Sequence, residues 1–353
     1  MPLTPLRDLV DDAEARWGDP NENIGRIVPF GVMPVDQATI GIPVDRGGFF
    51  LLQGVPGTRK TTVALNFLLN QLLSGRLPQG YHIAYDTLES GMTIERIADI
   101  LWAMVATKYL VYWHWNNTDE RDILRLLSMG LPDDIPPSRL VEEVVGQGRR
   151  ETILRPEFFQ FSTRSPRQQA AIEMARAVIR NFPLFVFGIS EHPVPAVALA
   201  RTTATWDLAE SKVRWAWMFE HYNMRELVVD HMQEYQFHDS PIDFEIQKRV
   251  VPMLAGWQKA SHGIVWLISQ IGVTSEREAR REGINPYSQG GKVAEAESSA
   301  TWTVDYNQDD PYHIKFRRPN KSRIGMHPDV AIPIDPFSGA FIGKAVKWNE
   351  RMV

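Results

Sequence analysis

The amino-acid sequence predicts an α/β fold in which a mostly parallel, twisted sheet is flanked by helices and continues into antiparallel strands near the C-terminus. From Phe49 onward, short apolar runs alternate with helical stretches, a pattern typical of parallel strands joined by right-handed crossovers. Towards the C-terminus the apolar runs are separated by turn-forming residues instead of helices, which predicts antiparallel pairing. With 353 residues and 44% hydrophobic composition, the chain is long enough for one large or two modest domains.

Five apolar runs are the predicted parallel strands, and four of them precede a predicted helix. The strands are FFLLQG (49–54), YHIAYDTLE (81–89), LFVFGI (184–189), ELVVDHM (226–232) and IVWLISQ (264–270). The helices are predicted over 61–73, 92–110, 194–221 and 246–262, where apolar residues recur at helical spacing.

The remaining strands and the domain boundaries are predicted from changes in local composition and apolar spacing along the sequence. The C-terminal strands are TWTVDYN (301–307), YHIKFRRP (312–319) and VAIPIDP (330–336). Between about 107 and 165, prolines and glycines interrupt any long element, so we expect an irregular insertion of small helices. The predicted organisation is a polar, acidic N-terminal arm or linker (1–25), one core domain (26–345) that carries the insertion, and a tail (346–353).

Composition excludes several classes of protein. The absence of cysteine excludes disulfides, thiolate zinc sites and cysteine nucleophiles. A net charge of -5 argues against a broadly basic surface that binds nucleic acid, although it is compatible with a local basic channel. The sequence contains no apolar run of about 18 residues, and its first residues lack a signal-peptide pattern, so we expect a cytoplasmic protein without a membrane partner.

The most informative segment lies between the first strand and its helix, where GVPGTRKTT predicts a phosphate-binding loop for ATP. Backbone N–H groups of such a loop and the positive end of the helix dipole converge on an anion. Lys60 is expected to reach the β- and γ-phosphates, and the Thr61 hydroxyl to ligate Mg²⁺. Arg59 stands where the usual pattern has glycine, so it must tolerate the backbone conformation or shift the loop. The predicted nucleotide-binding residues are Gly54, Val55, Pro56, Gly57, Thr58, Arg59, Lys60, Thr61 and Thr62.

Hydrolysis of a triphosphate also needs a metal-holding carboxylate and a group that positions water. Asp230 ends an apolar strand and is the predicted Mg²⁺ partner of Thr61. Glu89 ends another strand and is predicted to orient the attacking water, with Asp86 as its rival. Gln270 ends a third strand and is predicted to touch the γ-phosphate. Ligands gather at the carboxyl edge of a parallel sheet, where all these residues are expected.

The order and the residues of these motifs resemble the RecA-like P-loop ATPase core shared by DnaB-type replicative helicases. The resemblance to KaiC-like ATPases is the second strongest. The resemblance covers about residues 25–345 without 107–165, and does not extend to the separate N-terminal domain of cellular helicases. The segments that carry it are Phe30 to Pro43, Thr87 to Ser90 with Arg96, Leu227 to Gln233, Leu267 to Gln270, Gly290 to Ala300, and Asn320 to Gly325.

The resemblance implies a Mg²⁺-dependent ATP hydrolase that assembles as a homo-oligomeric ring, most simply a hexamer, with nucleotide sites between subunits. It implies that Lys321 and Arg323 reach the γ-phosphate bound by a neighbouring subunit, as an arginine finger does.

Single-stranded DNA is the expected partner, through the loop that follows the Gln270 strand. Its basic residues Arg277, Arg280, Arg281 and Lys292 are able to track phosphates. Interleaved Glu276, Glu278 and Glu282 are equally compatible with a solvated helix. The favoured hypothesis is a DNA helicase in replication. The alternatives are a RecA-type recombinase or annealing ATPase and a KaiC-like regulatory ATPase that acts on proteins.

Overall fold

The computed structural model describes residues 27–39, 41–74, 76–88, 92–116, 166–187, 208–234, 243–271, 293–306, 310–317, 319, 322–326, 328–342 and 346–347. The strands are β1 (Ile27–Val28), β2 (Ile42–Pro43), β3 (Gly48–Gly54), β4 (His82–Thr87), β5 (Leu184–Phe187), β6 (Met224–Asp230), β7 (Ile264–Gln270), β8 (Ala300–Asp305), β9 (His313–Arg317), β10 (Val330–Pro333) and β11 (Val346–Lys347). The helices are α1 (Met33–Ala38), α2 (Lys60–Leu73), α3 (Ile94–Asn116), α4 (Pro166–Ile179), α5 (Leu208–Tyr222), α6 (Asp243–Ser261) and α7 (Val293–Glu297), with a short 3₁₀ turn at Met232–Glu234.

Within the described residues, nine strands form one mixed sheet in the order β11-β10-β9-β8-β3-β7-β6-β4-β5. The strands from β8 to β5 in this order run parallel to their neighbours, which confirms the predicted α/β fold. Antiparallel pairing begins only between β8 and β9 and continues through β10 to β11. β8 was expected among the antiparallel strands, but it pairs with β3 in parallel. The reason is that the long segment before it, which includes α7, brings the chain back to the end of the sheet where β3 begins.

Side chains alternate between two cores, one on each face of the sheet. Phe50 and Leu52 belong to the core that contains α2, whereas Phe49 and Leu51 belong to the opposite core with Trp215. Aromatic rings fill the first core: the Phe50 ring stacks on Trp266 at 4.7 Å and on Trp302 at 5.6 Å between centroids. Trp266 and Trp302 therefore pack the interior of the domain.

Helix α2 is fixed against β6 by polar contacts at both of its ends. At the N-terminal end, the Thr61 hydroxyl donates to Asp230 at 2.7 Å. At the C-terminal end, the Gln71 amide donates to Glu226 at 3.0 Å. Thr61 and Gln71 are ten helical residues apart, a rise of about 15 Å. Asp230 and Glu226 are four strand residues apart, a span of about 13 Å. Because these two separations are similar, both contacts form at once when α2 and β6 run in opposite directions. This match places the start of α2 at the carboxyl edge of the sheet.

Two boundaries differ from the sequence expectation. Helix α3 continues to Asn116, so its last turns occupy the start of the expected 107–165 insertion. Strand β11 lies within the expected 346–353 tail and pairs with β10. Among the described helices, none has the length and apolarity that a bilayer span needs.

Candidate nucleotide-binding site

The predicted phosphate loop connects the central strand β3 to α2. Gly54 lies where a β-carbon would come 2.5 Å from the Thr58 hydroxyl and 2.6 Å from the Val304 carbonyl, so only glycine fits. Gly57 has a φ of 82°, and a β-carbon there would meet no atom within 4 Å. Other atoms of the chain therefore come close to the backbone at Gly54, whereas at Gly57 the backbone has a positive φ and faces open space.

Three donors of the loop converge on one backbone oxygen. The carbonyl of Val55 accepts from the Thr58 N–H at 3.3 Å, from the Thr58 hydroxyl at 2.9 Å and from the Lys60 ammonium at 2.9 Å. A carbonyl oxygen has two lone pairs, so this acceptor is crowded. A phosphate oxygen forms a stronger, charge-assisted bond with an ammonium group, and Lys60 is thus placed to exchange Val55 for a phosphate.

The beginning of α2 is suited to an anion. The first N–H groups of a helix have no acceptor within the helix, and no side chain of the described residues caps this end. The first turn, which begins Lys60-Thr61-Thr62, also contains no acidic residue. The positive end of the helix dipole is therefore left for an external negative charge.

Asp230 lies beside this helix end, as the last residue of β6. It is buried and accepts hydrogen bonds from the hydroxyl groups of Thr61 at 2.7 Å and Tyr85 at 2.5 Å. Burial raises the pKa of Asp230, while the bonds from Tyr85 and Thr61 and the charge of Lys60 act in the opposite direction. A hydroxyl and a carboxylate held together in this way are hard oxygen ligands, the type that Mg²⁺ prefers. The donor set therefore fits the predicted metal.

Gln270 ends β7 directly beside the loop, because its register partner on β3 is Gly54. Its side-chain amide lies 2.8 Å from Nε2 of His231. Gln233 supports this strand end: its amide donates to Ser269 at 2.9 Å, and its oxygen accepts from the Gln270 N–H at 3.1 Å. Gln270 is thus brought to the same edge as Asp230, with His231 as a packed neighbour.

Asp86, the rival of Glu89, faces the other side of the sheet. Its carboxylate is fully buried and forms an ion pair with the guanidinium of Arg214. It also accepts a hydrogen bond from the Trp215 indole at 2.8 Å. Because side chains alternate along β4, Tyr85 points to Asp230 while Asp86 points to α5. Asp86 is therefore engaged away from the phosphate loop.

Arg323 lies far from the loop of its own chain. Its backbone N–H donates to the Ser299 carbonyl, and the Ser299 N–H donates in turn to the carbonyl of Phe49. Phe49 lies near the start of β3, whereas the loop follows the end of that strand at Gly54, about 17 Å farther along. The exposed Arg323 side chain donates to the Ala296 carbonyl at 3.3 Å. The structure thus places Arg323 at the opposite edge of the sheet from the phosphate loop.

Several predicted site residues lie outside the described residues, and their roles stay predictions. They are Glu89, Lys321, Arg277, Arg280, Arg281 and Lys292.

The expected conflict at Arg59 is resolved by the backbone and by two partners of its side chain. Arg59 adopts the left-handed conformation, with φ 62° and ψ 33°. This conformation costs a non-glycine residue about 1 kcal/mol. Its guanidinium lies 4.4 Å from the ring centroid of Tyr306 and donates to the Pro336 carbonyl at 3.2 Å. Arg59 therefore tolerates a left-handed conformation that glycine would adopt without strain.

Sequence reasoning missed three residues around the site. Tyr85 contacts Asp230, Tyr306 contacts Arg59, and Arg214 neutralises Asp86. The alternation along β4 was the available signal for Tyr85, because a buried tyrosine hydroxyl needs a partner on its own face. The partners of Arg59 and Asp86 come from segments 247 and 128 residues away, and no local pattern points to them.

Comparison with known proteins extends the picture of the fold. No family model and no curated protein sequence matches the chain. Among solved structures, an ATPase domain is similar, with a TM-score of 0.59 and 16% identity over 97% of this chain and 99% of that one. A DnaB-like replicative helicase, described with its interactions with primase, gives a TM-score of 0.60 and 16% identity over 97% of this chain and 67% of that one. A KaiC-like protein from Pyrococcus horikoshii aligns with a TM-score of 0.44 and 14% identity over 92% of this chain and 99% of that one. The sheet order, the phosphate loop and the first two likenesses together assign a RecA-like α/β fold to the chain.

Proposed function

We propose that this protein is a Mg²⁺-dependent ATP hydrolase that assembles as a ring, most simply a hexamer, and acts on single-stranded DNA as a helicase in replication. The observation that carries the hydrolase part is the pairing of Thr61 with Asp230 beside the phosphate loop. It joins the first turn of α2 to the end of β6, so that phosphate donors and metal ligands meet at one edge of the sheet.

The residues divide the chemistry among them. The loop from Gly54 to Thr62 binds the phosphates, with Lys60 on the terminal ones. Thr61 and Asp230 would hold the metal, which would neutralise charge that develops on the phosphates. Gln270 is the proposed contact of the terminal phosphate. Its hydrogen bonds with Gln233 and His231 connect this contact to the segment after β6. Glu89 is the proposed group that orients the attacking water.

The position of Arg323 supports a site that is shared between subunits. Its distance from its own loop, about 17 Å along β3, is beyond the reach of an arginine side chain. An exposed cation at the opposite edge is compatible with a contact to the terminal phosphate of a neighbouring copy, together with the proposed Lys321. Head-to-tail contacts of this kind form a ring when the rotation from copy to copy closes.

The helicase activity is supported by the fold that the chain shares with a solved ATPase domain and with a DnaB-like replicative helicase. The basic loop residues Arg277, Arg280, Arg281 and Lys292 are the proposed DNA contacts, because forked and ammonium donors track phosphates along a single strand.

A forked-duplex unwinding assay with ATP and Mg²⁺ tests the proposal, with Lys60→Ala as the inactive control. We expect the wild type to separate the strands and its ATP turnover to rise with single-stranded DNA, and Lys60→Ala to do neither. Turnover that DNA stimulates without strand separation would favour a recombinase or annealing ATPase. Turnover that is indifferent to DNA would favour a regulatory ATPase that acts on proteins.

A further inference from the structure

We propose that Arg59 is a positioning residue that holds the phosphate loop ready for nucleotide by anchoring it to the C-terminal part of the chain. This inference rests on the proposed ATP binding at the loop. Its unexpected consequence is that replacement of Arg59 by glycine, the residue that the usual loop pattern has at this place, weakens nucleotide binding.

The anchor consists of contacts that the Arg59 side chain makes with two distant segments. The guanidinium of Arg59 lies over the ring of Tyr306, just after β8, and bonds to the carbonyl of Pro336, just after β10. The guanidinium also lies near the buried carboxylate of Asp335. Burial raises the pKa of Asp335, while hydrogen bonds from Ser338 and the charge of Arg59 act in the opposite direction. One loop side chain therefore joins the segment after β8 to the segment after β10.

The turn that carries Pro336 is itself held in place by hydrogen bonds. Asp335 accepts bonds from the Ser338 N–H at 2.7 Å and the Ser338 hydroxyl at 2.6 Å. Asn66 of α2 donates to the Gly339 carbonyl at 2.9 Å and accepts from the Phe341 N–H at 2.9 Å. The turn 335–341 thus packs on the helix that begins at the loop, and Arg59 is attached to a fixed support.

The anchor reduces the entropy that the loop loses when nucleotide binds. Glycine at position 59 would adopt the same left-handed conformation without strain, but it would also adopt many others and would lose the anchor. A loop that is fixed before the ligand arrives loses less entropy on binding than a loop that the ligand must order. The anchor therefore raises affinity for the part of the nucleotide that the loop binds, which ATP and ADP share.

The variants isolate this effect. We expect Arg59→Gly and Tyr306→Leu each to weaken the binding of fluorescent ATP and ADP analogues by about tenfold, with little change in kcat. Tyr306→Phe keeps an aromatic face for the cation and is expected to bind like the wild type. The double variant Arg59→Gly/Tyr306→Leu is expected to be no weaker than Arg59→Gly, because both changes remove the same anchor.

The matched control is Arg46→Gly, which removes one exposed cation just before the other end of β3. Binding by Arg59→Gly as tight as by the wild type, or a loss as large in Arg46→Gly, would overturn the inference. So would a loss for ATP alone, because Arg59 would then contact the terminal phosphate directly. If Arg59→Gly does not fold, as judged by circular dichroism, the comparison of Tyr306→Leu with Tyr306→Phe decides. A wild type that binds no more nucleotide than Lys60→Ala would refute the proposed function instead.

Discussion

The hydroxyl of Thr61 donates a 2.7 Å hydrogen bond to the carboxylate of Asp230, a residue 169 positions later in the sequence. The tyrosine hydroxyl of Tyr85 donates to the same carboxylate oxygen. Two donors on one buried oxygen hold the carboxylate in a fixed orientation beside the phosphate loop. The Thr61 hydroxyl and the Asp230 carboxylate would together hold Mg²⁺, which would supply neutralisation of phosphate charge when bound.

The Thr61–Asp230 pair predicts a metal-specific defect. Thr61→Ala and Asp230→Asn are expected to lower ATP turnover at least about 100-fold, since the metal loses a ligand or its charge partner. Thr61→Ser keeps the hydroxyl and is expected to retain most of the activity. Titration of Mg²⁺ in a steady-state ATPase assay measures the effect. Full turnover by Asp230→Asn at ordinary Mg²⁺ concentrations would contradict the assignment.

Arg323→Ala is predicted to lose hydrolysis while it keeps nucleotide binding, because we propose that its guanidinium acts on a neighbouring subunit. The measurement is ATP turnover in mixed oligomers of Arg323→Ala with Lys60→Ala. Such mixtures are expected to regain activity at the interfaces where an intact Arg323 faces an intact loop. The trans role would be wrong if homogeneous Arg323→Ala hydrolysed ATP at the wild-type rate.

Asp86 and Glu89 are expected to fail in different ways when each is replaced by its amide. Asp86→Asn leaves the buried guanidinium of Arg214 without its anionic partner, so the free energy of unfolding should fall by about 3 kcal/mol. Nucleotide affinity of the folded fraction should not change. Glu89→Gln should instead lower kcat about 100-fold and leave the urea midpoint unaltered. The opposite outcome would return Asp86 to the role of water-positioning residue.

Glu226 is predicted to make stability depend on pH. Burial raises its pKa to about 7, from an ordinary value of 4.5, even though Gln71, Tyr81 and Trp266 donate hydrogen bonds to it. Below pH 4.5 both the folded and the unfolded state bind the proton. As pH rises from 4.5 to about 7 the unfolded state releases it first, so this group's stabilisation is lost, on the order of 3 kcal/mol in total.

Urea unfolding of the wild type and Glu226→Gln between pH 4.5 and 8 measures this contribution. The difference between the two proteins should change by that amount across the range and level off above pH 7. Other titrating groups, which both proteins share, cancel in the difference. A difference that stays constant with pH would show that Glu226 remains ionised when buried.

Much of the fold was predictable because the signals are local. The run IVWLISQ matches β7 residue for residue, and β3 differs from its predicted range only by starting one residue earlier, at Gly48. Strands that are buried on both faces are continuous apolar runs, and the helices between them repeat with a different period. The parallel pairing of β8 with β3 was not predictable from its own residues, because strand direction depends on the path of the preceding connection.

The α/β class, the predicted phosphate loop and the candidates at strand ends could be inferred from the order of residues alone, because period, loop chemistry and strand-end carboxylates are each encoded within a few neighbouring residues. Which candidates meet depends on the three-dimensional arrangement. It joined Thr61 to Asp230, turned Asp86 away to Arg214, and placed Arg323 at the far edge of the sheet. It also supplied the anchor of Arg59 on Tyr306 and Pro336. Contacts of this kind depend on strand order and on the face of the sheet that each side chain occupies, and both are set by packing across the whole domain.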